Sequence, residues 1–386
     1  MKKFWKNITD NDKNSLVTII RLFLFWQVIV FIVALISGRM IAPRLRFMYN
    51  DGPRMSNPKL LWPRANFDGI HYLEIARNSY GLYEQAFFPL YPNLIRLLAP
   101  VFGGKDLVAA VFISNLAMLG ALWFFYKLTR IDYDSKSAFR SLIFYLVFPA
   151  SFFLGMVYTE SLFLFFVLAS FYSARKGKWF WAGIFGALAS NTRIVGACLF
   201  PALIWEWWQQ NKIKNLKLKI KNLFPLFLIP VGLLSYMQFL WKNYQDPLMF
   251  LHVQPFFGAE RSAGKIILIY QVFWRYLKMI FTTKWDPLYF TVWSELLTAV
   301  GFLTLLFLVY KNGLRNSYLI FFVLAYLIPT LSGTFLSMPR FALSLFPGFI
   351  YLGTIKNKII SNFLIIVFAV LWIISAVFFL NGYWIA

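Results

Sequence analysis

The stretch IISNFLIIVFAVLWIISAVFFL, residues 359–380, has 22 consecutive positions without a charged side chain. About 20 apolar residues are enough for a helix to cross the hydrocarbon core of a bilayer. The stretch does not alternate between polar and apolar positions, as a strand of a membrane β-barrel would. Because lipid offers the backbone no hydrogen-bond partners, we expect a transmembrane helix here.

The rest of the chain has the same character. Its 386 residues are 60% hydrophobic and 14% charged, whereas soluble globular proteins have about 45–50% apolar and about 25% charged residues. We therefore predict an all-α polytopic membrane protein, a single integral-membrane domain over 1–386. Apolar runs predict about eleven transmembrane helices, at 15–38, 107–126, 139–155, 158–174, 179–191, 194–209, 223–241, 288–310, 317–335, 341–355 and 359–380.

Two further segments are predicted to lie outside the spans, on the non-cytoplasmic face. The long first loop, 39–106, holds a proline-framed stretch at 86–100 that is typical of a short helix on the bilayer surface. The second segment is 242–287. Within it, the run 266–281 contains two basic residues and is compatible with a crossing or with a helix along the interface.

Charge sets the expected orientation. The net charge is +23, but the basic residues are spread through loops, which fits anionic membrane lipids and the positive-inside rule better than nucleic acid. The run 15–38 is predicted to be an uncleaved first span with a cytoplasmic N-terminus. The basic loops that then face the cytoplasm are 127–140, 175–178, 212–221, 311–315 and 356–358.

Titratable groups are concentrated within residues 65–81, ANFDGIHYLEIARNSYG. The whole chain has 15 carboxylates and 2 histidines, yet Asp68, His71 and Glu74 lie within seven positions. One interpretation is that Asp68 caps a surface helix and His71 packs at the membrane interface. The other is that Asp68 accepts a proton, with the imidazole as its neighbour or orienting partner.

The same stretch predicts a helix over 66–77, with Asn66 or Asp68 as its cap. Glu74 and Arg77 then point away from the candidate site, where they can pair with each other. Three residues at i, i+3 and i+4 spacing share the other face: Asp68, His71 and Tyr72.

Three more charged residues fall on the predicted non-cytoplasmic face. Glu160 either favours the positive end of a helix or hydrogen-bonds an acceptor sugar or an arginine. Arg193 either pairs with Glu160 or binds phosphate through its paired donors. Arg340 either extends to the interface or provides a second phosphate contact. Their arrival on one face from distant parts of the chain is what a composite site would look like.

No cofactor or metal site is expected. Two histidines and the single Cys198 lack metal-ligand spacing, and FGGK at 102–105 lacks the spacing of a phosphate-binding loop. Cys198 lies in an apolar run and is expected to be a small core residue. Metal dependence is left open.

Four stretches occur together in an order that resembles the PIG-V-like mannosyltransferases of the GT-C membrane glycosyltransferase class. They are FDGIHYLEIARNSYG (67–81), QAFFPLYPNLIR (85–96), FPASFFLGMVYTESLFL with WFWAGIFGALASNTRIVG (148–164 and 179–196), and SMPRFALSLFP (337–347). The resemblance implies a GT-C-like helical bundle.

The resemblance also implies an activity. Such enzymes take a sugar, typically mannose, from a polyprenyl-phosphate donor on the non-cytoplasmic face and transfer it with inversion to a lipid or glycan acceptor. The family's essential aspartate corresponds to Asp68, and the DGIHY match extends to His71. The TES glutamate corresponds to Glu160 and the SNTR arginine to Arg193. Asp68 would be the catalytic base, and Arg193 and Arg340 would stabilise the departing phosphate.

Two other functions compete with this one. A transporter or flippase of lipid-linked glycans would explain the many spans and the arginines at membrane depth, although no inverted repeat is evident and the carboxylates gather on one face. A non-catalytic scaffold of a cell-envelope complex would tolerate substitution of Asp68.

Overall fold

Every regular element is helical in the residues that the computed structural model describes: 12–52, 56–213, 220–257 and 261–385. The predicted all-α class is confirmed. In chain order the helices are α1 Asp12–Met40, α2 Asp68–Asn78, α3 Leu90–Leu98, α4 Asp106–Asp132, α5 Ser135–Val147, α6 Glu160–Arg175, α7 Trp179–Thr192, α8 Leu199–Ile213, α9 Leu228–Tyr244, α10 Met249–His252, α11 Ile269–Thr282, α12 Pro287–Lys311, α13 Asn316–Thr330, α14 Met338–Ala342, α15 Phe346–Thr354 and α16 Lys358–Leu380.

Five segments of the described chain are long and apolar enough to cross a membrane. They are Asn14–Met40 in α1, α4, Ile220–Tyr244 ending in α9, α12 and α16. These helices are those of a multi-pass membrane protein. The longest of the other described helices, α6, has 16 residues, fewer than the ~20 that a full crossing needs. The eleven crossings therefore stay a prediction.

Proline accounts for two differences from the predicted spans. The predicted span 139–155 is interrupted because α5 ends at Val147, immediately before Phe148 and Pro149. A proline disfavours helical backbone at the residue that precedes it. The predicted span 341–355 is likewise divided between α14 and α15, with Pro347 in the first turn of α15. Proline is tolerated there because that turn needs no amide donor.

Helices α7 and α9 approach each other unusually closely. A Cβ atom placed on Gly232 of α9 would lie 2.0 Å from the carbonyl oxygen of Ala187 in α7. The Asn191 side chain of α7 also donates to the Gly232 carbonyl at 2.8 Å. Small residues allow such backbone contact between membrane helices. The contact holds the end of α7, the element that leads into Arg193.

A partly buried charge cluster ties together several helix ends. Arg175, the last residue of α6, lies 2.6 Å from Asp132 at the end of α4. Glu206 of α8 accepts from Arg315 at 2.6 and 2.7 Å, and lies 3.6 Å from Arg175. Three of the basic loops therefore meet at one end of the bundle: 127–140, 175–178 and 311–315.

The side of the membrane that this end faces stays a prediction. The N-terminal residues 1–11 and residues 214–219 of the basic loop 212–221 lie outside the described residues. Helix α6 begins at Glu160 and ends at Arg175, so these two residues are separated by about 22 Å at ~1.5 Å per residue. Glu160 therefore lies at the opposite end of the bundle from the Arg175 cluster.

Residues 39–106 contain the short helices α2 and α3. A network centred on Arg77 fastens this segment to α4. Arg77 contacts Asp106, the first residue of α4, and donates to the Tyr49 hydroxyl at 2.8 Å. It also contacts Asp51 at 3.3 Å, and the expected pair with Glu74 is present at 3.0 Å. The segment is thus anchored through buried ion pairs.

The start of α2 differs from the prediction that Asn66 or Asp68 caps it. The capping residue is Phe67, with φ 57° and ψ −119°, and no side chain caps the helix. The Asn66 side chain instead accepts from the Tyr49 amide at 3.0 Å and donates to the Phe379 carbonyl at 3.1 Å. Positive φ at a bulky residue is rare and costly. The backbone is therefore strained immediately before Asp68.

Helix α11 covers most of the run 266–281. For this run the sequence was compatible with a membrane crossing or with an interfacial helix. It has 14 residues, with Val272 and Tyr276 buried and Trp274 and Phe281 exposed. Fourteen residues reach about 21 Å, less than the ~30 Å hydrocarbon core. The length fits the interfacial alternative, whose placement stays a prediction.

Candidate active site

Asp68 and Arg340 form the centre of the candidate site. Arg340 Nη1 lies 2.5 Å from Asp68 Oδ2, and the two side chains are 10% and 16% exposed. Asp68 begins α2 and Arg340 lies in α14. Each follows strained backbone, since Phe67 has φ 57° and Ser337 has φ 64°. Residues in such sparsely populated conformations cluster at functional sites.

Glu160 connects this pair to a second arginine. Its Oε1 lies 2.7 Å from Arg193 Nη1 and 3.4 Å from Arg340 Nε. Glu160 is the first residue of α6, where the helix dipole favours a negative charge. The result is an alternating chain of charges from four separate helices or helix ends: Asp68, Arg340, Glu160 and Arg193.

The structure reduces the alternative roles that the sequence allowed for Glu160, Arg193 and Arg340. Arg340 does not extend to the interface, because its side chain is only 10% exposed and is held by two carboxylates. Burial alone would lower the pKa of Arg340, but the charges of Asp68 and Glu160 raise it. Arg193 pairs with Glu160, which is one of the two alternatives predicted for Arg193. Glu160 contacts two arginines, which is one of the alternatives predicted for Glu160. Their roles toward a substrate stay predictions.

A fifth charged residue, Arg261, was missed at the sequence level. Its guanidinium carbon lies 5.8 Å from the centre of the Phe341 ring, which Arg193 and Arg340 also approach at 5.1 and 5.9 Å. Burial, followed by the repulsion of Arg340, lowers the pKa of Arg261 to about 10. No motif marks the stretch around Arg261. The available signal was its place on the predicted non-cytoplasmic segment 242–287.

His71 does not act as the expected partner of Asp68. Its Nδ1 lies 3.1 Å from Glu84 Oε1, and its ring stacks on Phe87 at 5.0 Å and meets Phe257 edge-on at 5.7 Å. The contact that orients the imidazole therefore comes from Glu84. As a substrate-binding residue, His71 stays a prediction, with its side chain 38% exposed.

Tyr72 lies beneath the site and is 7% exposed. Its hydroxyl is 3.5 Å from Thr159 Oγ1, next to Glu160 in the chain. Burial, together with the charges of Glu160 and Asp68, raises the pKa of Tyr72. Tyr72 is therefore a neutral hydroxyl in this site, and its expected contact with substrate stays a prediction.

Three buried polar atoms of the site lack a hydrogen-bond partner among the described residues: Glu160 Oε2, Arg340 Nε and Arg261 Nε. A buried polar atom without a partner costs about 1–3 kcal/mol. A ligand with hydroxyl and anionic groups would offer partners to all three. Guanidinium groups can bind an anion through paired donors, and the Asp68 side chain beside them is 16% exposed.

The described residues contain no group of three histidine, cysteine or acidic side chains placed to hold a metal ion. Cys198 is a buried free thiol, as expected. Among the described residues, the cations of the candidate site are the guanidinium groups of Arg193, Arg261 and Arg340.

Comparison with known proteins identifies a family. The model of the family described as mannosyltransferase (PIG-V) matches residues 16–245. This match covers more than half of the 386 residues. It includes Asp68, Glu160 and Arg193, whereas Arg261 and Arg340 lie beyond it.

Two solved structures show a remote likeness, and no curated protein matches significantly. Both are oligosaccharyltransferases from Archaeoglobus fulgidus, one tethered to an acceptor peptide and one, AglB, in complex with an inhibitory peptide and a dolichol-phosphate. Their identities are 13% and 12%, each with a TM-score of 0.43 over 93% of this chain. The chain spans 55% and 56% of their lengths. A likeness this remote supports no conclusion about the activity of the chain.

Proposed function

The chain belongs to the mannosyltransferase (PIG-V) family, and from that premise we propose that it transfers a sugar from a polyprenyl-phosphate donor. The sugar is mannose, and the acceptor is a lipid or glycan on the non-cytoplasmic face of the membrane. The observation that carries the proposal is the alternating chain of Asp68, Arg340, Glu160 and Arg193. It supports the proposal because a carboxylate that can accept a proton and two guanidinium groups that can bind phosphate belong to one cluster of contacts.

Asp68 is the catalytic base in this proposal. The acceptor hydroxyl attacks the anomeric carbon and gives its proton to the Asp68 carboxylate, while the bond from that carbon to the phosphate oxygen breaks. The configuration inverts because the attack comes from the side opposite the phosphate. The Arg340 guanidinium lies 2.5 Å from this carboxylate.

The departing phosphate is stabilised by Arg193 and Arg340. Cleavage leaves polyprenyl phosphate with more negative charge than it carried in the donor, so fixed positive charge favours the transition state over the bound substrate. Guanidinium groups suit this role because they present paired donors to phosphate oxygens.

Glu160 has two roles in this proposal, one for each of its carboxylate oxygens. Its Oε1 holds both arginines, at 2.7 and 3.4 Å, and so fixes their spacing. Its Oε2 is buried without a partner among the described residues. We assign that oxygen to a hydroxyl of the transferred sugar, which would replace the missing hydrogen bond.

The test uses the purified chain in detergent with a panel of polyprenyl-phosphate sugars and lipid or glycan acceptors, followed by mass spectrometry. We expect a hexose added to an acceptor, with mannose as the preferred sugar. A detergent solution has no membrane gradient, so transfer there distinguishes an enzyme from a flippase of lipid-linked glycans. Absence of transfer from every donor would refute the proposal.

A further inference from the structure

We infer that Arg261 is a third phosphate-binding residue of this site, and that it first receives the phosphate of the incoming donor. The inference deepens the proposed function and rests on it for the identity of the donor. The ligand chemistry is a phosphate monoester or diester attached to a long apolar chain.

The partners of Arg261 distinguish it from the two other arginines of the site. Its Nη1 donates to the Gln254 side-chain oxygen at 2.9 Å, and its Nη2 donates to the Leu336 carbonyl at 3.0 Å. Both acceptors are uncharged. Its Nε is buried and has no partner among the described residues. Among the same residues, no carboxylate forms an ion pair with Arg261.

Arg193 and Arg340, by contrast, are neutralised by carboxylates. Arg193 pairs with Glu160, and Arg340 lies against both Glu160 and Asp68. Three guanidinium groups surround the Phe341 ring, and two carboxylates neutralise two of them. The remaining positive charge belongs to Arg261. An uncompensated charge in a partly buried position is unfavourable, and an anionic ligand would compensate it.

One further carboxylate acts on Arg261, but it is otherwise engaged. Glu295 of α12 attracts Arg261, yet its oxygens accept hydrogen bonds from the Tyr276 hydroxyl at 2.5 Å and the Ser337 amide at 3.0 Å. Glu295 therefore holds the backbone that precedes Arg340. It leaves the Nε donor of Arg261 unpartnered.

Described residues on either side of Arg261 contact other parts of the chain. Before it, Phe256 stacks on Tyr83 at 4.0 Å and Phe257 meets His71 at 5.7 Å. After it, the Ser262 amide donates to the Ser332 carbonyl at 2.9 Å. The guanidinium is thus set in place between the start of α2 and α14 before any ligand arrives. Fixed donors of this kind need no reorganisation when an anion binds.

The experiment compares wild type with Arg261→Gln and Arg261→Lys. Lys265→Gln is the matched control, because Lys265 is an exposed cation of the same segment. Binding of undecaprenyl phosphate, undecaprenol and inorganic phosphate is measured for the full chain in detergent, alongside KM and kcat for the donor. Monodispersity and the thermal midpoint are measured for every variant, and Arg261→Lys serves as the test if Arg261→Gln does not fold.

We expect Arg261→Gln to weaken undecaprenyl phosphate binding by roughly 10- to 100-fold, which corresponds to loss of a charged hydrogen bond. The donor KM should rise by a similar factor, with a smaller change in kcat. Arg261→Lys should recover part of the loss, and Lys265→Gln should bind as wild type does. Undecaprenol and inorganic phosphate should bind more weakly than the lipid phosphate.

The outcomes separate this inference from the proposed function. If sugar transfer occurs but Arg261→Gln leaves both binding and KM unchanged, the inference is wrong and the proposed function stands. If the lipid phosphate binds through Arg261 but no donor yields product, the proposed function is wrong and the phosphate site stands. The inference is also wrong if the lipid phosphate binds no better than undecaprenol, or if inorganic phosphate displaces it equally well.

Discussion

Arg340 is 272 positions from Asp68 in the chain, yet its Nη1 lies 2.5 Å from Asp68 Oδ2. The contact joins α14 to the start of α2, and Glu160 extends it to Arg193 at the end of α7. Four of the predicted site residues are therefore neighbours in space. Three of them, Asp68, Glu160 and Arg193, lie within the family match and Arg340 lies outside it.

Asp68→Asn tests the assignment of the base. The change keeps the size of the side chain but removes its negative charge and its ability to take a proton. We expect a folded protein whose kcat falls by about 10²–10⁴-fold. Asp246→Asn is the matched control, because Asp246 is paired with exposed His252 and forms no ion pair with a candidate site residue among the described residues. Normal turnover of Asp68→Asn would rule out this role.

Arg193→Ala tests the binding of the donor phosphate. Glu160 keeps Arg340 as a neighbour at 3.4 Å, so the charge cluster is reduced and not abolished. We expect the donor KM to rise by roughly tenfold or more, since a charged hydrogen bond contributes about 1.5–3 kcal/mol. Steady-state kinetics with varied donor measure this, and Arg193→Lys should be intermediate. A donor dependence equal to that of wild type would contradict the phosphate role.

Arg77→Ala tests whether the second charge cluster is structural. The change leaves Asp51 and Asp106 buried without their shared cation. Breaking a buried ion pair from one side costs about 3–5 kcal/mol. We expect a lower thermal midpoint in detergent but an unchanged donor KM in the molecules that remain folded. A changed KM with an unchanged midpoint would show that this cluster belongs to the site.

Gly232→Ala tests the close approach of α7 and α9. The added Cβ would meet the Ala187 carbonyl oxygen at 2.0 Å, so the helices must separate. Overpacking of this kind costs typically about 1–3 kcal/mol, and we expect a lower thermal midpoint. Gly301→Ala is the control, because no atom lies within 4 Å of a Cβ at that position. Equal midpoints for the two variants would contradict the described packing.

The sequence predicted the fold class better than it predicted where individual helices begin and end. Uncharged runs such as 359–380 indicate membrane helices. A backbone in lipid must satisfy its own hydrogen bonds, and few structures other than a helix allow this. The breaks are harder to predict. Those at Pro149 and between α14 and α15 depend on local backbone geometry that hydropathy does not contain. The number of crossings, the donor and the acceptor stay predictions.

Scarcity made part of the site visible in the sequence. With 15 carboxylates in 386 residues, the clustering of titratable groups within 65–81 selected Asp68, and the cost of an acid near membrane depth selected Glu160. Basic residues are more abundant, with 38 lysines and arginines, so the same reasoning did not separate Arg261 from the others. His71 was grouped with Asp68 by helical spacing, which does not reveal the competing contact with Glu84.

By itself, the sequence determined that this chain is a helical membrane protein of the mannosyltransferase (PIG-V) family, because hydropathy and local motifs are properties of neighbouring residues. Only the tertiary structure decided which charges meet. Ion pairs such as Asp68 with Arg340 depend on how separate helices pack, and a partner 272 positions away leaves no trace in local spacing. The same packing decided that, among the described residues, Arg261 lies beside them without a carboxylate of its own.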